Sequence, residues 1–100
     1  MGLKVRLHRQ AQADLQSIYD YLVRHAGDRA AERVRLHLRQ KIMRLADRPY
    51  IGTATTEPGI RILAPTKYPY RIYYTLTDTA VIILHIRHTA RREPDLGNLR

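Results

Sequence analysis

Four arginines, Arg71, Arg87, Arg91 and Arg92, interrupt or close the segment YPYRIYYTLTDTAVIILHIRHTARR, residues 68–92, in which tyrosines and aliphatic residues otherwise alternate as in a sheet core. A guanidinium stays charged and presents paired donors that match phosphate or carboxylate. Residues 60–92 hold six basic residues, Arg61, Lys67, Arg71, Arg87, Arg91 and Arg92, against one acidic residue, Asp78. Side chains alternate faces along a strand. With turns centred near Thr66 and Asp78, Arg61, Arg71 and Arg87 share one sheet face with Tyr73 and His85, while Ile62, Ile72, Leu84 and Ile86 line the other. Cross-strand neighbours lie about 5 Å apart, so like charges there repel unless an anion sits between them. The pattern reads as a shelf for phosphate or carboxylate, with a solvated outer face of arginine stems over apolar surface as the plain alternative. A register change of one residue would break it.

Other chemistry finds little support. His85 and His88 are three apart, which on a strand points them to opposite faces and prevents joint chelation of one metal ion. There is no cysteine, no Gly-rich phosphate loop and no Gly-x-Ser-x-Gly turn, so thiolate, nucleotide-loop and serine-elbow chemistry drop out. Catalysis by this chain would be metal-free and cofactor-free, with Arg or Lys stabilising developing charge and His or Tyr moving protons. His85 and His88 are the candidates with a near-neutral unperturbed pKa in the basic region. Each is equally readable as a capping or core histidine.

The bulk of the sequence agrees with an anionic partner. One hundred residues carry 18 Lys plus Arg against 9 Asp plus Glu, a formal charge of +9. Only Lys4, Lys41 and Lys67 are lysines; the other 15 are arginine. Such a charge attracts nucleic acid, an acidic protein or an anionic membrane before any specific contact forms. Hydrophobic residues at 44% and charged residues at 27% suit a folded globular chain, and 1–100 reads as a single domain with one modest core. No apolar run approaches the about 18 residues of a membrane span, so a cytoplasmic location without membrane association is expected.

The elements that must position these residues follow from periodicity. Leu3, Val5 and Leu7 alternate with Lys4, Arg6 and His8, a half-buried strand. From about Gln10 the period lengthens: Leu15, Ile18, Tyr19 and Leu22 form a helical face running to about His25, with Gly27 able to take a left-handed cap and Asp28 able to cap the next helix. The second helix, about Arg29 to Asp47, aligns Ala31, Val34, Leu38, Ile42 and Leu45, and Pro49 ends it. Leu36 and Met43 sit opposite that stripe among Arg33, His37, Gln40 and Arg44, as scattered exposed apolar residues or as anchors for a partner. PYIGTATTEPG, residues 49–59, reads as a surface loop. Strands at Ile60–Leu63, Tyr70–Leu76 and Ala80–His88, the last pair joined by a tight turn at Thr77–Thr79, make an antiparallel meander. The fold class is α+β, with the helical hairpin packed on one sheet face.

In that order, "ADLQSIYDYLVRH", "PGIR", "YRIYY" and "IILHIRHTARR" resemble the ParE/RelE superfamily of bacterial type II toxin–antitoxin toxins across residues 3–92. The resemblance implies a growth-arresting toxin, with plasmid stabilisation among the roles of such systems, held inactive in a hetero-oligomer by a cognate acidic antitoxin whose disordered segment folds on binding. RelE-like members cleave mRNA on the ribosome with basic residues, whereas ParE-like members act on DNA gyrase without being nucleases. The arginine of the RelE strand matches Arg71, and its late basic residue matches Arg91 or Arg92, which with His88 would be the catalytic set. Lys67 is a loose counterpart of that branch's lysines, and EPDLGNLR after Arg92 lacks its catalytic tyrosine. The paired helices and the His88-to-Arg91 spacing resemble the ParE branch, in which Arg61, Lys67, Arg71, Tyr73, His85, Arg87, Arg91 and Arg92 would contact the target, and Leu36 and Met43 the antitoxin. A plain nucleic-acid-binding module is the reading outside the toxin class.

Overall fold

The alternating Leu3, Val5 and Leu7 do fold as a strand, β1 (Lys4–Leu7), in the computed structural model, which describes residues 2–99. Two helices follow, α1 (Arg9–Ala26) and α2 (Asp28–Arg44), with Gly27 serving as C-cap of the first and N-cap of the second. At φ 91° and ψ 166° this residue occupies a region open essentially to glycine, and it lets the chain reverse with no linker. Its N–H reaches the Val23 carbonyl and its carbonyl receives the Ala31 N–H. Asp28 is therefore the first helical residue and not a cap. Its side chain makes no capping bond, and its carboxylate lies at the positive end of the α2 dipole.

The chain then forms β2 (Thr53–Ala54), β3 (Ile60–Leu63), β4 (Tyr70–Leu76) and β5 (Ala80–His88), and a 3-10 turn at Leu96–Asn98. The short β2 lies inside the segment expected to be loop, pairing Thr53 with Ile62 and Ala54 with Arg61. The five strands make one mixed sheet in the order β1-β5-β4-β3-β2, antiparallel except that β1 runs parallel to β5. Thr77 closes the β4–β5 turn: its N–H donates to the Ala80 carbonyl and its hydroxyl oxygen accepts the Thr79 and Ala80 N–H groups.

The hairpin packs on one face of this sheet. Along the α2 stripe, Val34, Leu38, Ile42 and Leu45 are buried in one cluster with Leu63, Tyr70, Ile72, Tyr74, Val81, Ile83 and Ile86, and Ala31 is fully buried as well. From α1, Ala11 is fully buried and Leu15, Ile18 and Leu22 pack on the core partly exposed. Neither helix is apolar enough over a sufficient length to cross a membrane.

Register corrects the expected faces in two places. Leu63 opposes Ile72, so the β3–β4 connection is centred beyond Lys67 and not on Thr66; even positions on β4 then face odd ones on β3. Arg61 pairs with Tyr74 and lies on the helix-side face, while Ile62 pairs with Tyr73 and lies on the outer one. In β5 a bulge at Leu84 breaks the alternation between the pairs Tyr74–Ile83 and Tyr73–His85. It sends Val81 and Ile83 inward while His85 and Arg87 still face outward, and it turns Leu84 to the outer face. Ile72 and Ile86 face the helices as the periodicity requires.

Candidate functional site

The outer face of β4 and β5 brings four of the expected residues together: Arg71 opposes Arg87 and, one step along on the same face, Tyr73 opposes His85. The shelf holds two guanidinium groups, not three, because Arg61 is engaged elsewhere. It is also partly roofed, since Leu96 and Leu99 pack against Ile60, Tyr73 and Leu84 in a small second core that leaves Tyr73 fully buried. Burial raises the Tyr73 phenol above its ordinary pKa, the Glu93 carboxylate adds to that, and Arg71 and Arg87 oppose it.

A residue that sequence reasoning missed organises this face. β1 ends at Leu7, and Asp14 of α1 takes over that edge of β5: its Oδ2 accepts the Ile86 N–H at 2.9 Å and the His85 Nδ1 proton, while Oδ1 accepts from the Gln10 amide at 2.8 Å. The other imidazole nitrogen, Nε2, lies 3.0 Å from Arg87 Nη1. A guanidinium only donates, so Nε2 is the acceptor and the proton sits on Nδ1, facing Asp14. The result is a line from carboxylate to imidazole to guanidinium in which both ring nitrogens are occupied. No local signal announces it, because Asp14 and His85 are 71 residues apart.

The guanidinium pair itself is under-satisfied. Arg87 Nε is buried without a hydrogen-bond partner, and among the described residues the Arg71 side chain has none either. Two cations thus lie on directly opposed strand positions with donors that the protein leaves unused, and a bound anion would relieve their repulsion.

The remaining candidates lie elsewhere. Arg61 clamps the 50–52 segment: Nε and Nη2 donate to the Gly52 carbonyl at 3.1 and 2.7 Å, Nη2 reaches the Tyr50 carbonyl at 3.2 Å, and the guanidinium sits 5.3 Å from the Tyr50 ring centroid. His88 pairs with Tyr70 on the helix side, stacks edge-on against it at 5.4 Å and accepts the Ala90 N–H through Nδ1. Lys67 lies in the β3–β4 connection, 5.6 Å from the Tyr68 ring centroid. Arg91 and Arg92 are exposed beyond β5, where Arg91 helps line a groove with Tyr21, Arg24 and Tyr68. Leu36 and Met43 are 52% and 53% exposed on α2. Met43 borders an apolar groove between α1, α2 and β1, lined by Val5, Leu7, Leu15 and Tyr19 and rimmed by Arg35 and Arg39; Leu36 is not part of it. No cluster of three metal-ligating side chains occurs among the described residues.

Comparison with known proteins places the fold. A chain of the chromosomal ParDE toxin–antitoxin system of Pseudomonas aeruginosa superposes with a TM-score of 0.78 at 24% identity, covering 86% of this chain and 95% of that one. The RelBE2 toxin–antitoxin complex of Mycobacterium tuberculosis gives 0.66 at 20%, covering 88% and 99%. A mutant of the Escherichia coli toxin RelE in the free state gives 0.67 at 15%, covering 90% and 86%. No curated protein matches. A family model describing the ParE toxin of the parDE type II toxin–antitoxin system matches residues 5–93, nearly the full length of the sheet and hairpin described above, so the chain belongs to the ParE toxin family.

Proposed function

We propose that this protein is the toxin of a cytoplasmic type II pair, that it arrests growth by inhibiting DNA gyrase without cleaving nucleic acid, and that a cognate acidic antitoxin neutralises it. The observation that carries the non-catalytic reading is the occupancy of His85: Asp14 and Arg87 take both ring nitrogens. The shelf therefore offers cations for binding but no free base for proton abstraction, which general acid–base cleavage requires. His88 faces the opposite side of the sheet with one nitrogen engaged, and Tyr73 is buried with its pKa raised. Arg71 and Arg87 act as the anion-binding contacts to the target, with Arg91 and Arg92 extending the basic surface. The groove beside Met43, apolar along its floor and edged by Arg35 and Arg39, suits an amphipathic acidic segment of the antitoxin.

The test applies the purified protein to two reactions, gyrase supercoiling and mRNA in a translating system. Loss of supercoiling with wild-type protein, its recovery with Arg71→Ala and intact mRNA are expected. The second reading, a metal-free ribosome-dependent mRNA endonuclease, draws on the unsatisfied donors of Arg71 and Arg87, which also suit a pentacoordinate phosphate. Cuts phased with the ribosome that vanish in Arg71→Ala would replace the gyrase reading with that one.

A further inference from the structure

A second basic cluster lies away from the Arg71–Arg87 shelf. On α2, His37, Lys41 and Arg44 follow one another at four- and three-residue spacing and so share a stripe. The stripe meets the β3–β4 connection. Lys41 is only 8% exposed, and its ammonium donates to the Ala64 carbonyl at 2.7 Å. His37 Nε2 lies 3.3 Å from the Thr66 hydroxyl, and the imidazole stacks edge-on against Tyr68 with centroids 5.1 Å apart. Lys67 reaches the same Tyr68 ring, at 5.6 Å.

His37, Lys41 and Lys67 thus meet where α2 reaches the β3–β4 connection, with Arg44 one turn along the same stripe and no carboxylate among the four. The ion pairs of the described residues are Arg35 with Glu32 and His85 with Asp14, both elsewhere. An ammonium has three protons to give, and the Ala64 carbonyl takes one. Burial first, and then the positive charges of Lys41, Lys67 and Arg44, hold the His37 pKa below its ordinary value. Lys41 is lowered in the same sense, by burial first and then by Arg44. Burying a cation with one acceptor and surrounding it with like charges is unfavourable unless an anion completes the set.

We propose that His37, Lys41, Arg44 and Lys67 form a phosphate-binding site between α2 and the β3–β4 connection, and that its occupant is a backbone phosphate of a nucleic acid. Lys41 supplies the buried charge, Lys67 and Arg44 close over the oxyanion, and His37 donates once protonated. Tyr68, half-buried beside the cluster, offers a ring face to the adjoining nucleotide. The site stands whether or not gyrase is the target, since it shares no residue with the shelf.

The experiment follows the His37 ring resonance by NMR against pH in chloride, then with inorganic phosphate, then with a short single-stranded DNA oligonucleotide, at constant ionic strength. Phosphate is expected to shift the resonance saturably and to raise the His37 pKa, because a bound dianion offsets the cations. Lys67→Ala, an exposed loop change that leaves the fold intact, is expected to weaken phosphate binding about tenfold, the loss of one charge-assisted hydrogen bond. Lys41→Met removes the ammonium while keeping its stem, and is expected to abolish binding. Arg71→Ala should leave the titration unchanged. Identical His37 titrations in chloride and phosphate would overturn the site. Saturation by phosphate with no response to the oligonucleotide would overturn nucleic acid as its occupant in favour of a free phosphate.

Discussion

Arg61 and Arg71 have the same side chain and lie on adjacent strands, yet one is framework and the other is surplus. Arg61 turns inward and spends its donors on the carbonyls of Tyr50 and Gly52. Beside it, the Tyr74 hydroxyl donates to the Pro49 carbonyl at 2.7 Å and accepts the Gly52 N–H at 3.0 Å. That corner is so close that a Cβ on Gly52 would fall 2.5 Å from the Tyr74 hydroxyl. Arg71 turns outward and faces Arg87, with Arg87 Nε buried and unpaired. Residue type therefore does not separate these two arginines. Satisfaction does: a guanidinium whose donors are used by backbone carbonyls holds the fold, and one left short of acceptors is available to a partner.

Substitutions on the two sides should part stability from activity. The largest effect is expected from Tyr74→Ala, which empties a fully buried aromatic site and strips the 49–52 segment of both its hydroxyl bonds; a loss of about 3–5 kcal/mol should appear in urea unfolding. Gly52→Ala comes next, at about 1–3 kcal/mol, because the methyl must displace the Tyr74 ring or the Ile62 carbonyl. Asp14→Ala is expected to lower stability by about 1–3 kcal/mol by leaving the buried Ile86 N–H unpaired. The His85 proton should stay on Nδ1, because Arg87 still donates to Nε2, and ring-nitrogen NMR shifts would report it; a changed tautomer would mean that Asp14 and not Arg87 sets it. Smaller still, Arg61→Met should remove about 1–2 kcal/mol while Arg71→Met stays within about 0.5 kcal/mol of wild type. Equal losses at the two positions would erase the distinction drawn above.

The basic cluster on α2 adds a pH signature. His37 has its pKa lowered from 6.5, chiefly by burial and then by Lys41, Lys67 and Arg44. As pH falls below about 6.5 the unfolded chain takes up this proton before the folded chain does, so the unfolded state binds more protons and stability declines. Urea midpoints measured in phosphate-free buffer from about pH 7.5 to about pH 5.5 should fall for wild type, and His37→Gln should flatten that slope. This is the weakest of the effects, because His37 is only partly buried.

Much of this architecture is visible in the chain. The two helices and the four longer strands follow from apolar periodicity, since a half-buried strand repeats every two residues and an amphipathic helix every 3.6 or so. The α2 stripe from Ala31 to Leu45 is buried as its spacing demands. The outward position of Arg71, Tyr73, His85 and Arg87 is also readable from alternation. Short elements were not: Thr53 and Ala54 acquire strand character only by pairing with β3, and nothing in PYIGTATTEPG encodes that.

The differences in strand face and in side-chain partner all concern long-range choices. Arg61 faces inward because the β3–β4 connection is centred past Lys67, and a shift of odd length exchanges the two faces of a strand at no local penalty. Leu84 faces outward because a bulge absorbs one residue, which allows Val81 and Ile83 to reach the core while His85 and Arg87 do not. Asp14 meets His85 because α1 crosses the edge of β5 where β1 has ended. Periodicity, turn residues and charge are properties of neighbours along the chain, so they are legible in order. Register, bulge and the partner of each arginine are set by packing between segments tens of residues apart, and only the folded sheet decides them.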